Sequence, residues 1–579
     1  MIILTTAMQM SVAGGFRGRV VGKVPGFFRN RGHFVLLGAM AAVSACSSSS
    51  GNAVDDSSNV TAPVITPTPT PTPPPAVSQT SASTYDTSVG NGVDGAGFAD
   101  LPLRGGASRY FVSSAVGSDA NSCAAAKAPT APKATIKGAA SCIVQGAGDQ
   151  VLVAEGTSYS AVFPNMTGKD GFSPVYPTVF ETYDPADPLN EAKYGRATSG
   201  RPLITAAGLQ PVLAGAGTSP KYLAIRGFDF SPTNSSGNSF SMVNNTTGSA
   251  DYILIENNIF RYMFVVADMA APNTAGRMVG WVIRGNSIYG GWASSGHAQG
   301  LYMSGTNYTL EDNVIWHGGW KVGASRDDDI SAGGLVGDAV FRHNVYIQEN
   351  SSGTVRRNLS IDGAADGGQY RGDVLFTENI GIDNPIQVGL GGGDQYSTYR
   401  PDGVSLEASY NVFLGDADIT SSDPRGWGVT SANGKPGSSF HHNVIARSRN
   451  PNNASRSFDT VLGYDVPSYM DWSDNVVYQW VSSGKTVLEE TKGFTAGIFT
   501  SYNRNKWDDA SSGTNVNISS VTFPNPYTMD QLYQALGFTG ATSAARKQAF
   551  IDYMIAHPED HGRQRSMLSL ALQGYGIAH

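Results

Sequence analysis

The sequence predicts an all-β fold built from a long series of short, stacked coils. Glycine accounts for 69 of the 579 residues and aromatic residues for 10%, a composition in which turns are frequent. The apolar runs are short and rich in Val, Ile, Tyr and Phe, which favours strands over amphipathic helices. A short unit centred on asparagine recurs through the middle of the chain, which indicates a repeat architecture.

The asparagine unit consists of polar residues, then Asn, then alternating apolar residues. Its asparagines are Asn258, Asn286, Asn313, Asn358, Asn379, Asn411, Asn443, Asn475 and Asn503, and most of the steps between them are similar in length. One residue type at one position indicates a tight turn, in which each Asn side chain bonds the backbone and its neighbours in adjacent coils. Stacked coils then bury a continuous core that no single coil could bury.

This pattern resembles the right-handed parallel β-helix of the pectate-lyase type. The N-terminal part also resembles the opening of bacterial β-helix carbohydrate-active proteins, in the segments Tyr110–Ser113, Gly117–Asp119, Pro132–Ala139 and Gly148–Tyr159. The resemblance implies a first strand, an N-terminal capping helix and then the first coil, with the β-helix spanning residues 85–524. A β-propeller is the alternative, but its blades of about 40–50 residues carry signatures that this sequence lacks.

Residues 525–579 are predicted to form a C-terminal helical segment. Thr528 and Gln531 fit a helix-capping box, and Leu532, Leu536 and the apolar residues that follow have helical spacing. We expect two or three helices that close the end of the β-helix or pack on its side, because an open end would expose strand edges. A separate functional module is the alternative.

The segment before the predicted β-helix indicates an export signal followed by a membrane-anchoring linker. Residues 1–45 contain five basic residues and no acidic ones, with a short apolar stretch at the end, which is typical of a secretory signal. Val43–Cys46 resembles a bacterial lipobox, which implies lipidation of Cys46 and an outer-membrane, periplasmic or surface location. Residues 46–84 form a Ser- and Thr-Pro-rich linker with the composition of a stiff spacer. A cleaved signal with a chance cysteine, and a proline-rich recognition ligand, are the alternatives.

Composition and charge exclude several classes of protein. The chain is 40% hydrophobic and 15% charged, which is too apolar for a disordered protein. No long apolar stretch follows residue 50, which excludes a multi-span membrane protein. The net charge is −8, and loss of the five basic residues of the signal makes it −13, so a general nucleic-acid binder is excluded. We expect a monomer whose membrane contact is its lipid anchor alone.

Three cysteines are too few for a disulfide scaffold. Cys123 and Cys142 lie near each other in sequence within the predicted β-helix, and they are expected to form one disulfide in an oxidising compartment. Two buried free thiols are the alternative.

The candidate functional site lies in the coils of residues 297–371. Gln299–Met303 and His343–Ile347 precede their asparagine units by similar distances, so they are expected to stack on neighbouring coils. Tyr302 and Tyr346 would then point outward on the same face, with their apolar neighbours inward. The next coil carries Gln369, Tyr370 and Arg371 in the corresponding position.

The step between Asn313 and Asn358 is the longest of the series and indicates an inserted loop beside these tyrosines. Charged residues are concentrated in and after this loop: His317, Lys321, Arg326, Asp327, Asp328, Asp329, Arg342, Arg356, Arg357 and Arg371. They form a locally basic stretch in an acidic protein. A solvated loop, and arginines that only pair with neighbouring acids, are the structural alternatives.

These residues divide into three predicted roles. The catalytic candidates are His343, Tyr346, Lys321 and Arg371. The substrate-binding candidates are Tyr302, His297, Gln299, Arg342, Gln348, Arg356 and Gln369. The metal candidates are Asp327, Asp328 and Asp329, whose carboxylates would suit Ca²⁺.

The predicted function is a polysaccharide lyase acting by β-elimination on a uronic-acid-containing polymer. In that reaction a cation or a polar side chain neutralises the uronate, a base removes a proton and an acid protonates the leaving oxygen. A β-helix glycoside hydrolase would instead use an Asp pair. The Gly-His-Gly and Arg-Ile-Lys motifs of the polygalacturonase group are absent from the sequence. A non-catalytic glycan-binding or adhesin protein is the third possibility.

Overall fold

The computed structural model divides the chain into two compact units, Met1–Ser78 and Gln79–His579. The signal, Cys46 and the linker lie outside the described residues, all of which belong to the second unit. The structure describes residues 89–197, 200–210, 220–244, 250–268, 278–292, 298–320, 342–348, 350–391, 403–415, 426–448, 456–459, 469–480, 499–507 and 514–579.

The described strands form three long sheets in which hydrogen-bonded neighbours run parallel. Sheet A contains Arg109–Val112, Gln150–Ala154, Thr178–Tyr183, Lys221–Arg226, Asp251–Glu256, Met278–Arg284, Thr306–Glu311, Ser352–Arg356, Asp373–Thr377, Leu406–Ser409, Ser438–His441, Met470–Ser473 and Phe499–Asn503. Sheet B contains Ser158–Tyr159, Leu203–Ile204, Asp229–Phe230, Ile259–Arg261, Ser287–Tyr289, Val314–Trp316, Leu359–Ile361, Ile380–Ile382, Val412–Leu414, Val444–Ala446, Val476–Tyr478, Lys506–Trp507 and Val516–Asn517. Sheet C contains Leu209–Gln210, Asn238–Asn244, Met263–Asp268, Leu301–Ser304, Val345–Ile347, Gln369–Tyr370, Ile386–Leu390, Trp427–Ser431 and Arg456–Asp459.

Successive strands of each sheet come from successive coils, so the predicted parallel β-helix is confirmed. The main core lies between the three sheets and is filled by alternate side chains of most of their strands. Because the strands stack in register, similar side chains lie above each other, as where the rings of Phe230 and Phe260 stack with centroids 5.1 Å apart.

The asparagine ladder runs through the turns between sheets A and B. Its members are Asn258, Asn286, Asn313, Asn358, Asn379, Asn411, Asn443, Asn475, Asn505 and Asn515. In each step, the Nδ2 and the backbone N–H of one asparagine both donate to the Oδ1 of the next asparagine. Between Asn411 and Asn443 these two distances are 2.8 and 2.9 Å. The predicted ladder is therefore confirmed, except in its last predicted member.

Asn503 is not part of the ladder, and the prediction was wrong by two positions. Asn503 ends a strand of sheet A, whereas Asn505 accepts from the backbone and the amide of Asn475 at 3.0 and 2.9 Å. The sequence Asn503-Arg504-Asn505 offers two asparagines. Arg504 has φ 58°, the left-handed conformation that precedes other ladder positions too, and this turn puts Asn505 into the stack.

The helices lie at the start and the end of the described chain. α1 (Ile136–Ala140) follows its N-cap Thr135 in the N-terminal cap, beside a disulfide between Cys123 and Cys142. The C-terminal segment contains α2 (Met529–Ala535), α3 (Ser543–Ala556) and α4 (His561–Gly574). Short 3-10 helices span Ala125–Lys127, Glu191–Lys193 and Ile518–Ser520.

The C-terminal helices pack on the side of the β-helix. The predicted capping box of Thr528 and Gln531 is present at the start of α2. Side chains of α2, α3 and α4 share a buried apolar cluster with the outer face of sheet B, from Ile259 to Val476. Of the two placements that the sequence left open, the structure has the lateral one. None of the helices in the described ranges is long and apolar enough to cross a membrane.

A row of alternating charges, buried except at half-buried Arg356, runs along the outer face of sheet A. Its members are Glu181, Arg226, Glu256, Arg284, Glu311 and Arg356. Residues 89–101 cover its first part, where the backbone N–H of Ala99 donates to Glu256 at 3.0 Å. Burial alone would raise the pKa of Glu311, but the neighbouring arginines Arg284, Arg356 and Arg357 outweigh it and lower that pKa to about 2.

We expect Glu311→Gln to make the free energy of unfolding less dependent on pH in the acid range. The depressed pKa means that ionised Glu311 stabilises the fold above its ordinary value of 4.5, and that this contribution is lost as the pH falls toward about 2. The variant should therefore have a lower free energy of unfolding than the wild type near neutral pH, and the difference should shrink through that acid window. Urea unfolding at a series of pH values measures this. Exposed Glu407 supplies the control Glu407→Gln, and a wild-type-minus-variant difference independent of pH would contradict the assignment.

Candidate functional site

The predicted alignment of the coils around the candidate site is confirmed. In sheet C, Tyr302 pairs with Tyr346, while buried Leu301 and Met303 pair with Val345 and Ile347. Tyr346 in turn pairs with Gln369 in the next coil. Since side chains alternate across a strand, Tyr302, Tyr346 and Gln369 form one row on the outward face.

Tyr346 is enclosed along the stacking direction. The ring of Tyr302, from the preceding coil, lies nearly parallel to it with centroids 5.8 Å apart and an interplanar angle of 8°. The guanidinium carbon of Arg371, from the following coil, lies 5.0 Å from the centroid of the Tyr346 ring. The faces of Tyr346 are therefore occupied by protein, which makes it a poor platform for stacking a sugar. Its edge and its hydroxyl group are the parts suited to chemistry.

His343 and Asp366 form an imidazole–carboxylate pair beside Tyr346. The Nδ1 of His343 lies 3.1 Å from the Oδ2 of Asp366, and both side chains are at most 5% exposed. The imidazole is also nearly parallel to the Tyr346 ring, at 13° and 5.2 Å between centroids. The contact has the distance of an ion pair without hydrogen-bond geometry at Nδ1, so the carboxylate stabilises the imidazole when it is protonated.

Sequence reasoning missed Asp366, although a signal for it exists. His343 lies three residues before Tyr346, and Asp366 lies three residues before Gln369, the register partner of Tyr346. A backbone bridge pairs His343 with Asp366. Extending the register backward by three residues would have identified it.

Further polar side chains surround the pair of tyrosines. Gln348 Nε2 donates to the Tyr302 hydroxyl at 3.3 Å. Both residues are half-buried, so they are more accessible to solvent than buried Tyr346. Arg371 Nη2 donates to Gln369 Oε1 at 3.3 Å, and both residues are buried. Tyr370 points into the core and its pKa is raised by burial, so it is no candidate for proton transfer.

Two predicted binding residues lie next to this cluster, and a third lies elsewhere. Gln299 and Arg342 are buried in the corner that leads into sheet C, where Arg342 Nη1 donates to the carbonyl of Gly319 at 3.4 Å. Arg356 ends a strand of sheet A, where its Nε donates to Glu311 at 2.5 Å. The structure therefore separates Arg356 from the tyrosines, because its position in the coil belongs to another sheet.

Several predicted site residues lie outside the described residues. They are His297, Lys321, Arg326, Asp327, Asp328 and Asp329. Within the part of the chain that the structure does describe, no group of three or more His, Cys, Asp or Glu side chains is placed to hold a metal ion. The calcium site therefore stays a prediction.

A second imidazole–carboxylate pair occupies the same corner of the coil. His317 Nδ1 lies 3.2 Å from Asp362 Oδ2, and the His317 ring stacks on Trp320 at 5.2 Å. Asp362 and Asp366 stand four residues apart in one turn and each contacts a histidine of the preceding coil. His317 is more exposed than His343, with 15% of its side chain accessible.

The chain matches no protein-family model and no curated protein. A GH136 lacto-N-biosidase from Eubacterium ramulus is similar in structure, with a TM-score of 0.32, 13% identity, and coverage of 64% of this chain and 68% of that chain. A rhamnogalacturonan lyase has a TM-score of 0.33 and 13% identity, with coverage of 72% of this chain and 91% of that chain. The reaction is therefore inferred from the side chains of this protein.

Proposed function

We propose that this protein is a polysaccharide lyase that cleaves a uronic-acid-containing polysaccharide by β-elimination. The observation that carries the proposal is the contact cluster on the outward face of sheet C, in which Tyr346 lies against Arg371 and next to the His343–Asp366 pair. A guanidinium is the side chain best suited to bind a carboxylate. A phenol and an imidazole are groups that transfer protons.

Each group has a role in the proposed elimination. Arg371 binds the uronate carboxylate and stabilises the negative charge that develops when the C5 proton leaves. His343, whose protonated form Asp366 stabilises, accepts that proton. The electron pair of the C5–H bond forms the C4–C5 double bond as the C4–O bond breaks. Tyr346 donates its hydroxyl proton to the departing glycosidic oxygen. The enzyme therefore takes up one proton and releases one in each elimination.

The cluster fits elimination better than hydrolysis. A glycoside hydrolase uses two carboxyl groups about 5–9.5 Å apart on either side of the bond. The described carboxylates of this corner are Asp366 and Asp362, and they lie 3.1 and 3.2 Å from His343 and His317. A carboxylate in contact with a histidine suits stabilisation of a protonated imidazole.

The proposal includes the setting in which the enzyme works. The basic and apolar leader, the lipobox-like Val43–Cys46 and the linker support export and attachment of a monomeric enzyme to the cell envelope through a lipid on Cys46. We also propose that the carboxylates of Asp327–Asp329 bind calcium, whose positive charge would offset the negative charge of a uronate polymer.

The test is to incubate the purified protein with a panel of uronate polymers, with calcium and with a chelator. A lyase produces an unsaturated sugar, so ultraviolet absorbance should rise with at least one polymer. New reducing ends without that absorbance would overturn the proposal in favour of a hydrolase. Binding without any product would overturn it in favour of a glycan-binding protein.

In the same assay, we expect Arg371→Gln to lower kcat/KM for the polymer, through a lower kcat as well as a higher KM, because Arg371 both binds the carboxylate and stabilises the charge that develops on it. Loss of a charge-assisted contact of about 1.5–3 kcal/mol corresponds to a change of roughly 10- to 200-fold in kcat/KM. The matched control is Arg356→Gln, because Arg356 bonds Glu311 on sheet A. Equal effects of the two substitutions on kcat/KM would mean that Arg371 is not the carboxylate-binding residue.

A further inference from the structure

Two consecutive histidines lie close together at the end of a strand of sheet A, remote in sequence from the candidate active site. His441 ends the strand Ser438–His441, and His442 follows it with φ 56°. In a continuing strand the two side chains would point to opposite faces. The left-handed turn at His442 instead brings both imidazoles to one side, with their Nδ1 atoms 3.0 Å apart.

The rings are held in place by the neighbouring coils. His442 stacks on Tyr410 of the preceding coil, at 5.0 Å between centroids and 23° between planes. The two imidazoles are perpendicular to each other, at 89°. Asp474 of the following coil is engaged by Arg504 at 2.6 Å, so that carboxylate does not compete for the pair. Both histidines are half-buried, which leaves an open side toward solvent.

The spacing of the two nitrogens matches a pair of adjacent metal ligands. With metal–nitrogen distances of about 2.0–2.1 Å, two nitrogens 3.0 Å apart subtend an angle of roughly 91–97° at the ion. That angle belongs to square-planar, tetragonal and octahedral sites, whereas a tetrahedral site needs about 109°. Imidazole is a preferred ligand of Cu²⁺ and Ni²⁺, which adopt the former geometries.

We propose that His441 and His442 form a two-imidazole binding site for a divalent transition-metal ion, with Cu²⁺ and Ni²⁺ preferred over Zn²⁺. Without metal, one imidazole donates its Nδ1–H to the other Nδ1. On binding, the donor ring moves that proton to its Nε2 and the two rings turn so that both Nδ1 lone pairs point at the ion, with no net proton released. Water fills the remaining positions. The site is independent of the proposed lyase activity.

The test uses the full chain without a histidine tag, titrated with Cu²⁺, Ni²⁺ and Zn²⁺ in separate calorimetric experiments. We expect one saturable Cu²⁺ or Ni²⁺ site per chain and weaker binding of Zn²⁺. His441→Gln and His442→Gln should each weaken metal binding by at least about tenfold. Removing a residue that only orients a metal ligand already lowers metal affinity by about that factor, and removing the ligand itself should lower it at least as much. The matched control is His557→Gln, whose imidazole contacts Glu559 at 2.9 Å in the C-terminal helices.

A second measurement keeps the proposal falsifiable if a variant fails to fold. Electron paramagnetic resonance of the Cu²⁺-loaded wild type should show hyperfine coupling to two equatorial nitrogens. Coupling to a single nitrogen, absence of saturable Cu²⁺ and Ni²⁺ binding, or undiminished binding by folded His441→Gln and His442→Gln variants would each overturn it.

Discussion

Replacing Tyr346 by phenylalanine is expected to lower kcat by about 10²–10⁴-fold, the range that a positioned acid or base contributes. The substitution keeps the ring, and so it keeps the contacts with Tyr302, His343 and Arg371. What it removes is the hydroxyl proton that the leaving oxygen needs. Initial rates of product absorbance, measured over a range of polymer concentrations, separate this loss in kcat from a change in KM.

The control for Tyr346→Phe is Tyr289→Phe on sheet B. The Tyr289 hydroxyl also has a polar contact, since Arg261 donates to it at 3.1 Å, but it stands away from the sheet C row. Its removal should leave turnover nearly unchanged. If Tyr346→Phe turned over substrate as fast as Tyr289→Phe, Tyr346 would not be the acid.

Replacing Asn411 by alanine is expected to destabilise the fold strongly. Its Nδ2 donates to the carbonyl of Phe376 at 2.9 Å, and its Oδ1 accepts the backbone N–H of Asn379 at 2.8 Å. The substitution leaves these two backbone groups buried and unsatisfied, and each should lower the free energy of unfolding by about 1–3 kcal/mol. Chemical denaturation followed by circular dichroism measures the combined loss.

Asn503→Ala is the matched control, since it deletes the same side chain outside the ladder. Asn503 is half-buried, and its backbone carbonyl, which alanine retains, accepts from Asp474 at 3.1 Å. We expect a change within about 0.5 kcal/mol. Equal destabilisation by the two substitutions would show that the ladder contributes no more than an ordinary position.

Local sequence determined the fold of this protein. Each coil has its own turn, and the residue in that turn makes the same hydrogen bonds in every coil. Asn258 and the ladder asparagines after it therefore recur at similar spacings that can be recognised in the sequence. Alternation along each strand then places Tyr302 and Tyr346 on one face, because inward and outward positions follow from a period of two. The capping box of α2 was equally local, since Thr528 and Gln531 contact each other across one turn.

Only the tertiary structure decided which side chains meet. Arg356 and Arg371 both follow the predicted loop in sequence, but one ends a strand of sheet A beside Glu311 and the other follows a strand of sheet C beside Tyr346. Asp366 reaches His343 because the register between coils brings these two distant positions into contact. Asn505 replaced Asn503 in the ladder because Arg504 adopts the left-handed turn. Composition and spacing fix the periodicity of a coil, whereas the direction in which a charged side chain points depends on the sheet and the register that packing selects.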